Sequence, residues 1–280
     1  MILECFKSLW AHSGSLVDAL ELAHKAGFHG IEGPVPSNEA DREDFFTTLG
    51  ATPWIAEVTT CTPEGAYLPT PHLPPAAHLA SLEEKILRSL PGKPRFITTM
   101  AGSDAWDFSD TLDFHKAVLD LEQKHRIAIS IETHRGRPTF HPWTTRKLLD
   151  QLPELRITCD FSHWCVVTER LLLDEDPALL GLCAAHVHHF HARVGYAQGP
   201  QVPDPRAPEY APELAAHLRW WKHLIDARAA RGESTSTFTP EAGPDGYLHL
   251  APFTQSPVAD LWEINQFIAR EILTTLPSPP

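Results

Sequence analysis

The sequence is poor in the features that mark several common protein classes. Its 280 residues contain only 15 Gly and 2 Met, and none of the glycines forms a phosphate-cradling Gly-rich loop. The five cysteines, Cys5, Cys61, Cys159, Cys165 and Cys183, are odd in number and include no Cys-x-x-Cys pair. That argues against a disulfide framework or a structural zinc site and leaves buried free thiols as the expected state. No window holds about 18 consecutive apolar residues, and the start, MILECFKSLW, lacks a basic lead into an apolar stretch. Neither a membrane span nor a signal peptide is expected, and the expected location is cytoplasmic. Basic charge is also short: 23 Lys+Arg stand against 36 Asp+Glu, a net charge of −13. The nearest approach to a basic patch is the spaced set Arg135, Arg137, Arg146 and Lys147. A phosphate backbone would be repelled, so nucleic acid is excluded as a partner.

At 42% hydrophobic and 21% charged residues the chain has a globular composition and can bury a core. Its unusual wealth is histidine. There are 17, and four fall within six residues at His186, His188, His189 and His191.

Short apolar runs alternate with amphipathic segments, the pattern of repeated βα units. Eight runs read as strands: Ile2–Lys7, Gly30–Val35, Pro53–Thr59, Arg95–Met100, Ala128–Thr133, Arg156–Phe161, Ala185–His191 and Ser236–Glu241. Helices are expected near 15–26, 39–49, 76–90, 109–125, 143–151, 167–181, 209–231 and 257–275. Ser13 or Ser15, Ser37 or Asn38, and Ser109 supply helix starts. Eight strands with eight crossovers predict a single α/β domain, a (β/α)8 TIM barrel over residues 1–275, with a frayed tail at 276–280. The Pro-rich runs Thr62–Pro75 and Gly199–Pro212 read as extended loops, the second long enough for a lid.

In a parallel barrel the chemistry sits at the C-terminal strand ends. The fifth to eighth strands finish with Glu132, Asp160, His191 and Glu241. Carboxylates converging there lose hydration and repel one another unless paired or bound to a cation. A divalent metal held by these four groups resolves that conflict. An oxygen-rich set suits Mn²⁺ or Mg²⁺, with Co²⁺, Zn²⁺ or Fe²⁺ as alternatives. Alternation along the seventh strand puts His189 and His191 on one face and His188 on the other. His191 is nearer the strand end; His189, one layer deeper, reads as a core histidine but stays an alternative ligand. His134 and Arg193 each lie two residues beyond a proposed ligand, and both are candidate substrate contacts. Trp10 and Trp164 are candidates for an apolar wall, while Lys7, Glu57 and Gln201 are as readily explained by packing or salt bridges.

Five motifs in order, Gly27-Phe28-His29-Gly30-Ile31-Glu32, Ile131-Glu132-Thr133-His134, Asp160-Phe161-Ser162-His163, His189-Phe190-His191 and Pro240-Glu241-Ala242-Gly243-Pro244, resemble the xylose-isomerase-like barrels, the sugar phosphate isomerase/epimerase family. The resemblance runs over nearly the whole chain. It implies one divalent cation on Glu132, Asp160, His191 and Glu241, favours His191 over His189, and implies a substrate contact for His163. It also implies a homo-dimer or homo-tetramer. After the seventh strand His-Ala-Arg-Val-Gly departs from the family pattern, which bears on Arg193 as a substrate binder.

The function expected is a metal-dependent isomerase or epimerase of a ketose or keto-polyol, with Glu132 and Glu241 as the acid and base on opposite faces of the sugar. Loss of a β-hydroxyl would instead make it a dehydratase or lyase. A non-catalytic barrel subunit and a metal-dependent hydrolase or nuclease are the remaining alternatives; the complete ligand set speaks against the first and the acidic charge against the second. Because the loop after the eighth strand adds Asp245 where a phosphate needs donors, an uncharged sugar or polyol is the expected substrate.

Overall fold

The computed structural model describes residues 1–10, 12–63, 68–244 and 246–276. Eight parallel strands form a closed barrel in sequence order: β1 Ile2–Ser8, β2 Gly30–Gly33, β3 Trp54–Thr59, β4 Ile97–Met100, β5 Ile129–Glu132, β6 Arg156–Cys159, β7 Val187–Ala192 and β8 Thr235–Pro240. Closure is made by β1 against β8, where Ile2 faces Thr235 and Cys5 faces Phe238. The expected (β/α)8 barrel is therefore the fold.

The helices around it are α1 Leu16–Lys25, α2 Glu39–Leu49, α3 Pro75–Ser89, α4 Phe108–His125, α5 Pro142–Gln151, α6 Ser162–Thr168, α7 Leu172–Glu175, α8 Pro177–His186, α9 Ala211–Ala230 and α10 Leu261–Thr275. Local chemistry explains their starts. Ser15 and Asp18 form a reciprocal capping box on α1, and Asn38 caps α2 through Oδ1. For α4 the cap is Asp107 rather than the expected Ser109, whose hydroxyl donates to Asp107 instead. The single helix expected over 167–181 is in fact three short ones, and His186 closes α8 instead of opening β7. Arg170 and Asp176 fall between those helices, and Pro177 at the first turn of α8 forces the new start.

Strand alternation sorts the barrel interior into layers. Phe6, Ile55 and Phe96 with Ala128 form a separate apolar cluster, each such side chain contributing about 1.5–3 kcal/mol by burial. Hydroxyls link strands across the interior, Thr98 of β4 to Thr158 of β6 at 2.9 Å and Thr158 to Ser130 of β5 at 2.7 Å. The strand ends continue the same faces into a layer of acids and imidazoles. Outside the sheet, Trp54, Trp220, Trp221, Phe190 and Phe238 belong to the larger core under the helices.

One further expectation changes. Leu276, assigned to the frayed tail, is buried against the core, while 277–280 lie outside the described residues. The run 199–212 is tied down: Gln201 brackets Gly243, accepting from its N–H at 2.8 Å and donating to its carbonyl at 3.3 Å, and Val202 N–H bonds the Val194 carbonyl. Among the described residues no helix is long and apolar enough to cross a membrane.

Candidate metal centre

Glu132 is the last residue of β5, Asp160 follows β6, His191 lies in β7 and Glu241 follows β8. All four side chains are buried, and one ligand atom from each lies within 4.8 Å of those of the other three. Donors at about 2.1 Å from one cation stand up to about 4.2 Å apart, so a small contraction brings the set into coordination. His191 Nδ1 lies 3.3 Å from Glu132 Oε1 and 3.1 Å from Glu241 Oε2 without hydrogen-bond geometry to either. Glu132 Oε2 is likewise buried without a partner. Orphaned, buried donor atoms of this kind are costly. Three carboxylates and an imidazole around them have the chemistry of a divalent-cation site, so the residues fit the ion expected from the sequence.

The electrostatics follow from crowding. Burial, opposed by His191 and aided by Glu241 and Asp160, raises the Glu132 carboxyl to about 7. Burial raises Asp160 against the pull of Arg193. For His191 burial acts downward, but Glu241, Glu32 and Glu132 together hold the imidazole well above its ordinary value.

His163 opens α6, three residues after Asp160, and its Nε2 stands 3.6 Å from Asp160 Oδ2. Its ring sits between two arginines: Arg135 Nε donates to Nδ1 at 3.2 Å, and Arg193 Nη2 is 2.8 Å from Nε2. His134 packs on it with ring centres 4.0 Å apart. Burial first, and neighbouring charges second, hold both imidazoles well below the usual value, so both are neutral. Arg193 pairs with Asp160, donates to Ser162 Oγ at 3.0 Å and lies 3.6 Å from Glu241 Oε2. Trp10 meets Tyr247 edge-on at 5.2 Å, and the Arg193 guanidinium lies 4.8 Å from the Tyr247 ring and 5.7 Å from the Trp10 ring.

Thus Trp10, His134, His163 and Arg193 surround the cluster. Trp164 does not join them: it is fully buried, stacks near Phe161 and donates to the Thr139 carbonyl at 3.0 Å. His189 has both nitrogens engaged, Nδ1 with Thr237 Oγ1 at 2.8 Å and Nε2 with Glu32 and Thr239 at 3.2 Å, as a core histidine should. His188 lies where the register of β6 against β7 shifts and packs edge-on against Phe96 of the inner apolar cluster at 4.5 Å, and His186 bonds the Leu155 carbonyl. Lys7 points to its neighbour's carbonyl and to Trp262, and Gln201 serves the loop, both in packing roles.

Two residues near the cluster carried no role in the sequence reading, and a third was read as serving packing or a salt bridge. Tyr247 sits in a loop with no strand to frame it. Glu32 belongs to the second-strand motif, and alternation from Gly30 would have turned it inward. Glu57, within β3, is half-buried and has no ion-pair partner among the described residues; burial, then Glu241, Glu32 and Glu132, push its carboxyl up to about 8.

No family model matches the chain, and no curated protein is similar to it in sequence. Among solved structures it is similar to a xylose-isomerase-like TIM-barrel protein from Mycobacterium smegmatis in complex with magnesium, with a TM-score of 0.62 and 11% identity over 98% of each chain. It is also similar to D-allulose 3-epimerase from Methylomonas sp., with a TM-score of 0.58 and 12% identity over 97% of this chain and 96% of that one. A third is the probable 3-DHS dehydratase of Bacillus anthracis, with a TM-score of 0.57 and 15% identity over 98% and 99%. At such identities the likeness shows the fold alone, a (β/α)8 TIM barrel built like those of these three proteins.

Proposed function

We propose that the protein is a divalent-metal-dependent isomerase or epimerase of a keto-sugar or keto-polyol. The observation that carries this reading is the convergence of Glu132, Asp160, His191 and Glu241 on one point, with His191 Nδ1 and Glu132 Oε2 buried and unsatisfied. These four would hold the cation, Mn²⁺ or Mg²⁺ by the oxygen-rich donor set. When bound, it supplies Lewis acidity, polarising a carbonyl and offsetting charge that develops on oxygen.

The chain's own groups do the rest. Glu132 and Glu241 come from β5 and the end of β8, so their carboxylates approach a bound sugar from different sides. One removes the proton next to the carbonyl and keeps it, and the other delivers its own proton to the opposite face or the adjacent carbon. Without the cation the Glu132 carboxyl is raised to about 7; a bound cation would favour its ionised form, the one that can accept a proton. Neutral His163 borders the cluster with Arg135 at Nδ1 and Arg193 at Nε2, and a substrate oxygen would reach its ring by replacing one of these two contacts. Trp10 and Tyr247 close one side with an apolar wall that excludes water.

Glu57 favours a second reading. An acid kept protonated near neutral pH beside the cluster is suited to protonating a leaving hydroxyl, which would make the reaction a dehydration.

Incubation of the Mn²⁺-loaded protein with a panel of ketoses in deuterated water tests both. Deuterium at a sugar carbon supports isomerisation or epimerisation, and loss of water supports dehydration. A protein that takes up no metal by plasma spectrometry, or that does neither with any ketose, overturns the proposal. Glu241→Gln is expected to abolish turnover and lower metal content without unfolding the barrel.

A further inference from the structure

Glu32 ends the inward face of β2 and is 1% exposed. Its carboxylate reaches two histidines of β7. His191 Nε2 lies 3.1 Å from Oε1, His189 Nε2 lies 3.2 Å from Oε2, and Thr239 Oγ1 donates to Oε2. Among the described residues, these two imidazoles are its only ion-pair partners. An ionised carboxylate only accepts, so the contacts require a proton on Nε2 of both rings. His189 satisfies its other nitrogen on Thr237 Oγ1 at 2.8 Å. His191 has no such partner: its Nδ1 is orphaned and aimed between Glu132 and Glu241.

We propose that Glu32 is a positioning residue that fixes the tautomer and orientation of His191, keeping the proton on Nε2 so that the Nδ1 lone pair faces the three carboxylates as a cation ligand. The inference rests on the proposed metal-dependent reading of the site and adds a residue outside the ligand set. Its chemical effect is directional. A carboxylate on the far side of an imidazole makes the ligating nitrogen more basic, and losing such a partner weakens metal binding roughly 10–100-fold. Because imidazole suits Co²⁺ and Zn²⁺ better than Mg²⁺, the loss should fall more heavily on Co²⁺ than on Mg²⁺. His189 acts as the strut on the other carboxylate oxygen, stopping Glu32 from rotating away.

The test has two parts. In the Zn²⁺-loaded wild type, which is diamagnetic, long-range ¹H–¹⁵N spectra are expected to show His191 protonated at Nε2 and coordinated through Nδ1. Coordination through Nε2 overturns the proposal, and this measurement needs no variant. Calorimetric titration of Glu32→Gln is then expected to give a Co²⁺ Kd about 10–100-fold weaker than wild type, with a smaller change for Mg²⁺. Glu32→Gln keeps the shape of the side chain, and its circular dichroism and melting curve establish that it folds. A Co²⁺ Kd within threefold of wild type, or equal losses for Co²⁺ and Mg²⁺, overturns the role of Glu32 while leaving the metal-dependent reading standing. A wild type that binds no cation overturns that reading itself, and the role of Glu32 with it.

Discussion

Arg193 and Asp160 form an ion pair with neither side chain more than 2% exposed: Nη2 meets Oδ2 while Nε holds Ser162 Oγ, which in turn donates to the other Asp160 oxygen. The guanidinium and a divalent cation thus address the same carboxylate. Breaking a buried pair typically costs about 3–5 kcal/mol because the remaining charge is left uncompensated. Arg193→Met should therefore lower the stability of the metal-free protein by about that amount. It should also bind Mn²⁺ more tightly, since a competing positive charge is gone, so that added Mn²⁺ raises Tm more in the variant than in wild type. Thermal melts with and without Mn²⁺ check this; equal metal-induced shifts would show that Arg193 does not compete.

Gly243 lies against Trp10 so closely that a Cβ there would come within 1.9 Å of the indole. Its backbone cannot retreat, because Gln201 grips it on both sides. Gly243→Ala must displace the Trp10 ring from its edge-on contact with Tyr247, at a cost of about 1–3 kcal/mol of overpacking. If Trp10 forms the wall of the sugar site, KM rises several-fold while kcat changes less. A variant with unaltered KM and unaltered tryptophan fluorescence would remove Trp10 from the substrate site.

Glu57 makes the metal-free protein less stable in alkali. Its folded carboxyl is raised to about 8 from an unfolded value near 4.3. Between those values the folded state binds the extra proton, so the stabilisation is complete below the unfolded value and is lost as pH rises through 8. Melts in chelator should show Tm falling from pH 5 to pH 9, and Glu57→Gln should flatten that slope. Parallel pH profiles for the two proteins would exclude Glu57 as the cause.

Histidines away from the site act in the opposite direction. Burial lowers His115 in α4 and His217 in α9 to about 4, against weaker backbone hydrogen bonds that raise them. A depressed folded value means that the unfolded chain binds more protons. Their contribution is therefore complete above about 6.5 and is lost as pH falls through 4. His115 Nε2 has no hydrogen-bond partner among the described residues, so His115→Leu should keep most of the neutral-pH stability and reduce acid sensitivity. Melting curves between pH 7 and pH 4 provide the comparison, and an unchanged acid slope would contradict it.

The histidine-rich stretch shows how far a linear reading goes. Period-two alternation is a local property of extended backbone, so it placed His189 and His191 on one face; it put His188 on the other, but where the register of β6 against β7 shifts His188 meets the same Phe96 ring as His189. The positions of Glu132, Asp160 and Glu241 at strand ends were legible for the same reason, and so was the count of eight βα units. The acidic composition likewise set the balance of charge before any coordinates.

Closure of the barrel decided what alternation cannot express. Glu32 and His191 are 159 positions apart, and only a barrel that faces β2 across to β7 makes them partners. The same closure gave both nitrogens of His189 hydrogen-bond partners and left His191 Nδ1 without one among the described residues, which separates a core histidine from a candidate ligand. Trp164, next to His163 in sequence, turned to the Thr139 carbonyl because a helix begins at Ser162 and carries successive side chains around its axis. Local pattern specified which residues reach the barrel mouth; the tertiary structure chose their partners, because partnership across a barrel depends on distance through space and not along the chain.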